Sequence, residues 1–383
     1  MDFLIFLLGY VGLFVVVAVL AIISSSSSYL SQLSEKFKCF FLKVIYAVVP
    51  GFIIRLVSYS VDYVFNTRNH VMQLVFGLLV LGGNFILILD VLPLLYIFEP
   101  ETNHILLPLV LLFTNAAAFH LSCTANPGHI TPSNAAIYAS LYKADGTMYT
   151  TGVECQTCRL VKPARSKHCR VCNRCVHRFD HHCIWTNNCV GAGNLRYFIS
   201  FLLSLLMMLV NGAVMSTRAM VLLVQHFKLM ETGYVDSFTG QMHPVTLPIL
   251  IQHLFMQHPR CIFLITSLLM LMVLLGMFTL YHLYLLLNNQ TTNERYKMAS
   301  LQSNTSQQPR THQVNKTAAS LTADHNFNNT LTKNQELASA GSFYDKGIWS
   351  NIKEVFFPWS DLQIKKRNTA SNFGHNKSKR KVC

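Results

Sequence analysis

Charge is scarce in this sequence: 13% of its 383 residues are Asp, Glu, Lys or Arg. A soluble domain carries about a quarter, so a freely soluble globular fold is not the expectation. Acidic residues are the scarcer sign, 17 against 31 basic, which leaves a net charge of +14. The apolar stretches hold almost no charge away from their edges. That argues against a transporter or channel, since ion and proton paths need ionisable groups inside the membrane. Disulfides are not expected either. Seven of the eleven cysteines fall between Cys155 and Cys189, with histidines at matched positions that a disulfide-knotted module would leave unexplained. No nucleic-acid partner is expected.

What the chain has instead is apolar length: 51% hydrophobic residues and a mean hydropathy of +0.34. Five stretches approach the roughly 20 residues that cross a hydrocarbon core: residues 3–23, 71–89, 105–121, 197–215 and 262–280. The first follows only Met1 and Asp2 and lacks the basic segment of a signal peptide, so it reads as a retained anchor. Residues 41–59 are interrupted by Lys43, Pro50 and Arg55 and read as an interfacial or core-packed segment. Basic residues sort the loops. Lys36, Lys38, Lys43, Arg55 and Arg68 precede the second stretch and eight Lys or Arg run from Arg159 to Arg196, whereas residues 90–104 have none. By the positive-inside rule the N-terminus lies outside and the Cys/His segment and tail lie in the cytosol.

The fold class expected is an all-α polytopic membrane protein with a small cytosolic two-zinc cysteine-rich domain. Its parts are an anchor and basic segment (1–70), a transmembrane hairpin (71–123), the cysteine-rich domain (124–196) and a second hairpin (197–287). Residues 288–341 read as a polar, disordered linker, in which the sequons at Asn304, Asn315 and Asn328 carry no meaning on a cytosolic tail. Residues 342–383 form a docking helix and a basic tail. In that helix Ile348, Ile352 and Val355 recur at helical spacing, with Trp349 and Phe356 beside them, and Pro358 ends the pattern. The final Cys383 lacks the three following residues of a prenylation box. It is either an inert thiol or an acyl acceptor.

The cysteines carry the chemistry. Cys155, Cys158, His168 and Cys175 are spaced C-x2-C-x9-H-x6-C, and Cys169, Cys172, His182 and Cys189 repeat that spacing fourteen residues on. Each copy offers three thiolates and one imidazole, a tetrahedral zinc set. His177, His181 and Cys183 are left over. Two of them sit in the run Asp180-His181-His182-Cys183. A cysteine reacts as its thiolate; a nearby histidine can take the proton, and a carboxylate can orient that histidine. In an extended turn neighbours alternate direction, so His182 can face a metal while His181 and Cys183 face away. The competing reading makes Cys183 or His181 a ligand of a partner-binding module, but it breaks the duplicated spacing. His177 reads as a surface or supporting residue.

The segment ends only a few residues before an apolar stretch. A nucleophile at the membrane face suits a substrate whose carbonyl lies at that face and whose tail lies in the bilayer. A fatty acyl-CoA has that shape, and the basic residues nearby would favour its phosphates, although each also serves as topogenic charge.

The run from Cys155 to Asn194 resembles the cysteine-rich domain of the DHHC family of protein S-acyltransferases. CQTC from Cys155, KPARSKHC from Lys162, CNRC from Cys172, DHHC from Asp180 and NNCVGAGN from Asn187 carry the likeness. Thr291-Thr292-Asn293-Glu294 resembles the family's TTxE motif, and Tyr344, Gly347, Asn351 and Phe356 resemble its C-terminal aromatic-asparagine motif. Asn126-Pro127-Gly128 departs from the family's Asp-Pro-Gly. The resemblance, closest in character to the fungal endoplasmic-reticulum branch, implies a ping-pong palmitoyltransferase using palmitoyl-CoA as acyl donor. Cys183 would be the nucleophile, His181 the base and Asp180 its orienting group. Two structural zinc ions would be held by the eight residues above. Membrane proteins with juxtamembrane cysteines, SNAREs first, would be the substrates, and the endoplasmic reticulum the location. A RING-like binding module remains the rival reading, but it leaves Asp180, His181 and Cys183 without a task.

Overall fold

The computed structural model describes residues 49–235, 240–306 and 343–358, with isolated positions Gly9, Gly12 and Lys43. The expected anchor at 3–23, most of the polar linker and the basic terminus with Cys383 lie outside the described residues. Helix α1, Gly51–Asn66, buries none of its side chains, so the described part of the segment expected at 41–59 is not core-packed. Its chain leads into α2, Val71–Ile86, which continues through a π-helical turn, Leu87–Val91, into α3, Leu92–Phe98. The π turn has a local cause. Pro93 brings no amide hydrogen, and the Leu92 amide instead reaches back to the Leu87 carbonyl.

Helix α4, Leu106–Thr124, is followed by the single-turn α5, Ala135–Ala139. Six short strands then form three two-stranded hairpins: β1–β2 (Glu154–Cys155, Leu160–Val161), β3–β4 (Lys167–Cys169, Arg174–Val176) and β5–β6 (His181–Cys183, Asn188–Val190). Helix α6, Leu195–His226, starts four residues after Val190's neighbour Gly191. After it come a fourth hairpin, β7–β8 (Gly233–Val235, Met242–Pro244), α7 (Leu247–Gln257), α8 (Pro259–Leu287), α9 (Thr292–Ser306) and α10 (Ile348–Phe356).

Among the described residues, four runs are long and apolar enough to cross a membrane: Val71–Phe98, Leu106–Thr124, Leu195–His226 and Pro259–Leu287. These correspond to the second to fifth apolar stretches and outrun the ends set by hydropathy alone. The protein is a multi-pass, mainly helical membrane protein. Two compact units divide it, and α2–α3, α6 and α8 contribute to both. In the unit formed by 80–103 and 214–266, Arg218 pairs with Glu99 at 2.6 Å and Arg260 with Asp90 at 2.7 Å. The other unit contains 70–79, 104–213 and 267–383, and holds all three cysteine hairpins. Its apolar core joins Ala118 of α4, Phe198 and Leu202 of α6, Leu286 of α8 and Val355 of α10 to Cys183 and Val190.

One expectation fails here. The polar stretch from residue 290 does not start as a disordered linker, because α9 occupies Thr292–Ser306. The reason is a reciprocal cap: the Thr291 amide donates to Glu294 Oε2 (3.0 Å) and the Glu294 amide to the Thr291 hydroxyl (3.2 Å). Two orphan amides are satisfied at once, which is enough to start a helix in a polar sequence. The TTxE motif is therefore a capping box.

Candidate active site and metal clusters

The two ligand sets fold in the same way. Within each C-x2-C, the amide of the second cysteine donates to the sulfur of the first, Cys158 to Cys155 and Cys172 to Cys169, both at 3.4 Å. The residues that follow, Arg159 and Asn173, turn the chain back at φ +50° and +51°. The remaining two ligands of each set lie directly opposite one another across a hairpin: His168 beside Cys175 in β3–β4, His182 beside Cys189 in β5–β6. His168 Nδ1 lies 3.6, 3.3 and 3.8 Å from the sulfurs of Cys155, Cys158 and Cys175. His182 Nδ1 lies 3.7, 3.4 and 3.7 Å from those of Cys169, Cys172 and Cys189. A tetrahedral ion with bonds of about 2.3 Å to sulfur and about 2.0 Å to nitrogen needs donors roughly 3.5–3.8 Å apart. Both sets fit a zinc ion. All nine described cysteines are free thiols.

The strand that carries His182 also carries its neighbours. With a period of two, His181 and Cys183 point to the opposite side of β5 from His182. His181 Nδ1 meets Asp180 Oδ2 at 2.6 Å, which leaves its other nitrogen for the Cys183 thiol, whose pKa it lowers. Asp180 is itself held by α9: Thr292 donates its amide to Oδ1 (2.7 Å) and its hydroxyl to Oδ2 (3.0 Å). Cys183 is buried at 8% exposure while His181 keeps 26% of its side chain accessible, so the pair can be approached from one side.

Burial opposes charge on all three groups, and their contacts outweigh it. Hydrogen bonds to Asp180 and Cys183 push His181 up to about 10, and the same histidine holds Cys183 below the ordinary thiol value. Asp180 is held down to about 2 by His181 and the Thr292 amide. A thiol of lowered pKa beside an oriented imidazole is what nucleophilic catalysis by cysteine requires.

The third group of potential ligands, Asp180, His181 and His282 of α8, lies within 4.8 Å. It does not fit a metal. The 2.6 Å between Asp180 and His181 is a hydrogen bond, too short for an ion to bind both.

A second cluster braces the site. Arg165, 0% exposed, makes a bidentate pair with Glu294 (2.7 and 2.8 Å) and donates to the Asn289 side chain (2.9 Å) and carbonyl (2.7 Å). Its guanidinium lies between the rings of Tyr344 and Tyr142, 4.4 and 4.9 Å from their centroids. Glu354 of α10 accepts from Lys346 at 2.7 Å and from Tyr142, and lies 3.6 Å from Arg178. Asn351 donates to the Leu287 carbonyl at the end of α8 (2.7 Å) and to Asp345 (2.7 Å). Arg165 and Arg178 belong to the basic run 159–196, whose composition suits CoA phosphates or topogenic charge. Both are buried and internally paired, so neither faces a ligand. His177 is not at the surface either. It is 2% exposed and stacked on Tyr138 at 4.4 Å.

The NPG variant is explained by the same unit. The Asn126 side-chain oxygen accepts from the amides of Gly128 and His129, both at 2.9 Å. A carboxylate would accept the same bonds, so Asn replaces Asp without changing the turn. The Asn126–Pro127 backbone in turn presses on the glycines of the NNCVGAGN run. A Cβ on Gly193 would lie 2.2 Å from the Asn126 carbonyl oxygen, and one on Gly191 would lie 2.5 Å from that of Pro127.

Fold and site together define a multi-pass membrane protein built around a Cys/His-rich hairpin domain with a spare, activated thiol. A family profile described as DHHC palmitoyltransferase matches residues 149–299. Bovine palmitoyltransferase ZDHHC4 is 37% identical over 359 residues, covering 94% of this chain and 97% of its own length. Palmitoyltransferase SWF1 of Yarrowia lipolytica is 30% identical over 270 residues, 63% of this chain and 67% of its own. Its namesake in Schizosaccharomyces pombe is 31% identical over 257 residues, 64% of each chain. The chain belongs to the DHHC palmitoyltransferase family, and is a protein S-palmitoyltransferase.

Proposed function

We propose that the chain transfers palmitate from palmitoyl-CoA to cysteines of membrane proteins through an acyl-thioester on Cys183. The carrying observation is the Asp180–His181 hydrogen bond beside Cys183, on a strand whose middle residue, His182, belongs to a Cys/His set that fits a metal ion. With its proton held on His181, the Cys183 thiolate attacks the thioester carbonyl. CoA leaves as a thiolate and takes that proton. A substrate thiol then gives its proton to His181 and attacks the acyl-Cys183 carbonyl, which releases Cys183. Asp180, fixed by Thr292, keeps His181 turned toward Cys183. The sets Cys155, Cys158, His168, Cys175 and Cys169, Cys172, His182, Cys189 would each hold a zinc ion, which would supply rigidity rather than chemistry.

The basic residues around the hairpins support a cytosolic face for the site. The site precedes α6 directly, which supports substrates whose cysteines lie close to the bilayer. The likeness to the fungal branch puts SNAREs first among them and the endoplasmic reticulum first among locations. Cys183→Ser tests the assignment: hydroxylamine-sensitive labelling by palmitoyl-CoA and transfer should both vanish, with zinc content unchanged. Undiminished turnover by the serine variant would refute it. Acyl-biotin exchange on cells with and without the protein would name the substrates.

A further inference from the structure

His282 lies on α8, a membrane-crossing helix, and is 3% exposed. An ionisable side chain inside a span is costly, and a phenylalanine or leucine would fill the same volume at no desolvation cost. Its surroundings are otherwise aromatic. Its ring packs against Phe278 at 4.5 Å, Phe198 at 5.2 Å and Tyr281 at 5.8 Å, all edge to face. The remaining side faces the active site, where the His181 ring lies 5.7 Å away and is itself edge-on to Phe198 at 5.3 Å. One ring nitrogen of His282 comes within 4.8 Å of both the Asp180 carboxylate and a His181 nitrogen. His282 therefore meets the pair through its ring contact with His181 and through the nearness of its polar nitrogen to the Asp180 carboxylate.

From this arrangement we infer that His282 is a positioning residue for the acyl-transfer reaction, keeping the Asp180–His181 pair aligned on Cys183 from the membrane side. The role rests on His181 and Cys183 acting as base and nucleophile. Asp180 fixes one nitrogen of His181, and the Phe198 edge limits the tilt of its ring. His282 supplies the third point, a ring in contact with His181 that carries a polar nitrogen close to the pair where an apolar side chain would carry none. Three points define the ring plane; two leave it free to rock.

The test uses the full-length chain in lipid nanodiscs, with palmitoyl-CoA as the probe and acyl-enzyme formation as the readout. His282→Phe keeps the shape but not the polar atoms. It should lower the limiting rate roughly tenfold to a hundredfold, a part of the 10²–10⁴ a general base contributes. The half-saturating palmitoyl-CoA concentration and the zinc content should not move, which separates alignment from binding. His282→Gln, with a neutral donor and acceptor, should recover most of the rate. Adding His282→Phe to His181→Ala should cause no further loss, because the residue acts through His181. A parental rate for His282→Phe, or a further loss in the His181→Ala background, would overturn the inference. If neither His282→Phe nor His282→Leu folds, the residue is a packing element and the inference falls. Full activity of His181→Ala is a different result: it would remove the base assignment, and with it the role given to His282.

Discussion

Adjacent residues can have unrelated duties when they sit on a strand, and β5 shows this at the residue scale. His181 faces Asp180 and Cys183, whereas His182 faces three sulfurs. Two alanine substitutions one position apart should therefore fail differently. His181→Ala should keep its zinc and its thermal melting while acyl-enzyme formation drops by about 10²–10⁴. His182→Ala should lose metal, become protease-sensitive and express poorly, since binding structural zinc supplies about 10–16 kcal/mol in small zinc modules. Zinc analysis and limited proteolysis on the two purified variants check this, and equal zinc retention would contradict it. The glycines offer a second contrast. Gly193→Ala must displace the Asn126 carbonyl, while Asn126→Asp preserves both of its accepted bonds. The first should lower the melting temperature sharply and the second should leave it close to the parent's.

At the scale of elements, α9 is held by buried polar contacts, and α10 by such contacts beside the apolar packing of Val355. Arg165 and Glu294 are 0% and 2% exposed. Removing one partner leaves the other charge buried and unpaired, at a cost of about 3–5 kcal/mol. Glu294→Ala should thus destabilise the protein more than the double variant Arg165→Met/Glu294→Leu, as thermal melts in detergent would show. Equal destabilisation would mean the pair is not desolvated as seen. Much of this region was legible in advance. The eight ligands followed from the repeated spacing, and the reactive row from what that spacing left over. The apolar stretches marked four described spans, although their ends ran on because helices do not stop where hydropathy does. Other features were not legible. Thr291-x-x-Glu294 is a helix-start signal, but the polar composition around it outweighed it. Arg165 and Arg178 looked like their exposed neighbours, because burial of a charge depends on partners more than a hundred residues away. Nothing in the spacing of α8 sets His282 apart, since its partner His181 comes from a different part of the chain.

For the whole molecule, pH enters through the tail. Burial would raise the Glu354 carboxyl, yet Arg178, Lys346 and Tyr142 hold it at about 2, down from its ordinary 4.5. A depressed carboxyl stabilises the fold fully above its unfolded value and loses that contribution as pH falls through the folded one. Docking of α10 should therefore weaken between about pH 4.5 and 2, and Glu354→Gln should be less stable than the parent at neutral pH but converge with it in acid. Protease cleavage around α10 across that window would report the difference. A gap that stays constant with pH would assign the tail's docking to other contacts.

The metal clusters have one more consequence. Seven thiols crowd into one short segment, yet the proposed chemistry uses one. On the ligand assignment argued above, the other six are occupied by zinc, which acts toward an electrophile as a protecting group does in synthesis. Chelation should then have two opposite effects: transfer to substrate falls, while thioester labelling of the enzyme itself rises above one palmitate per chain as unmasked cysteines react. An acyltransferase that carries its own acceptors must keep them blocked, and on this assignment the scaffold and the blocking group would be the same ions.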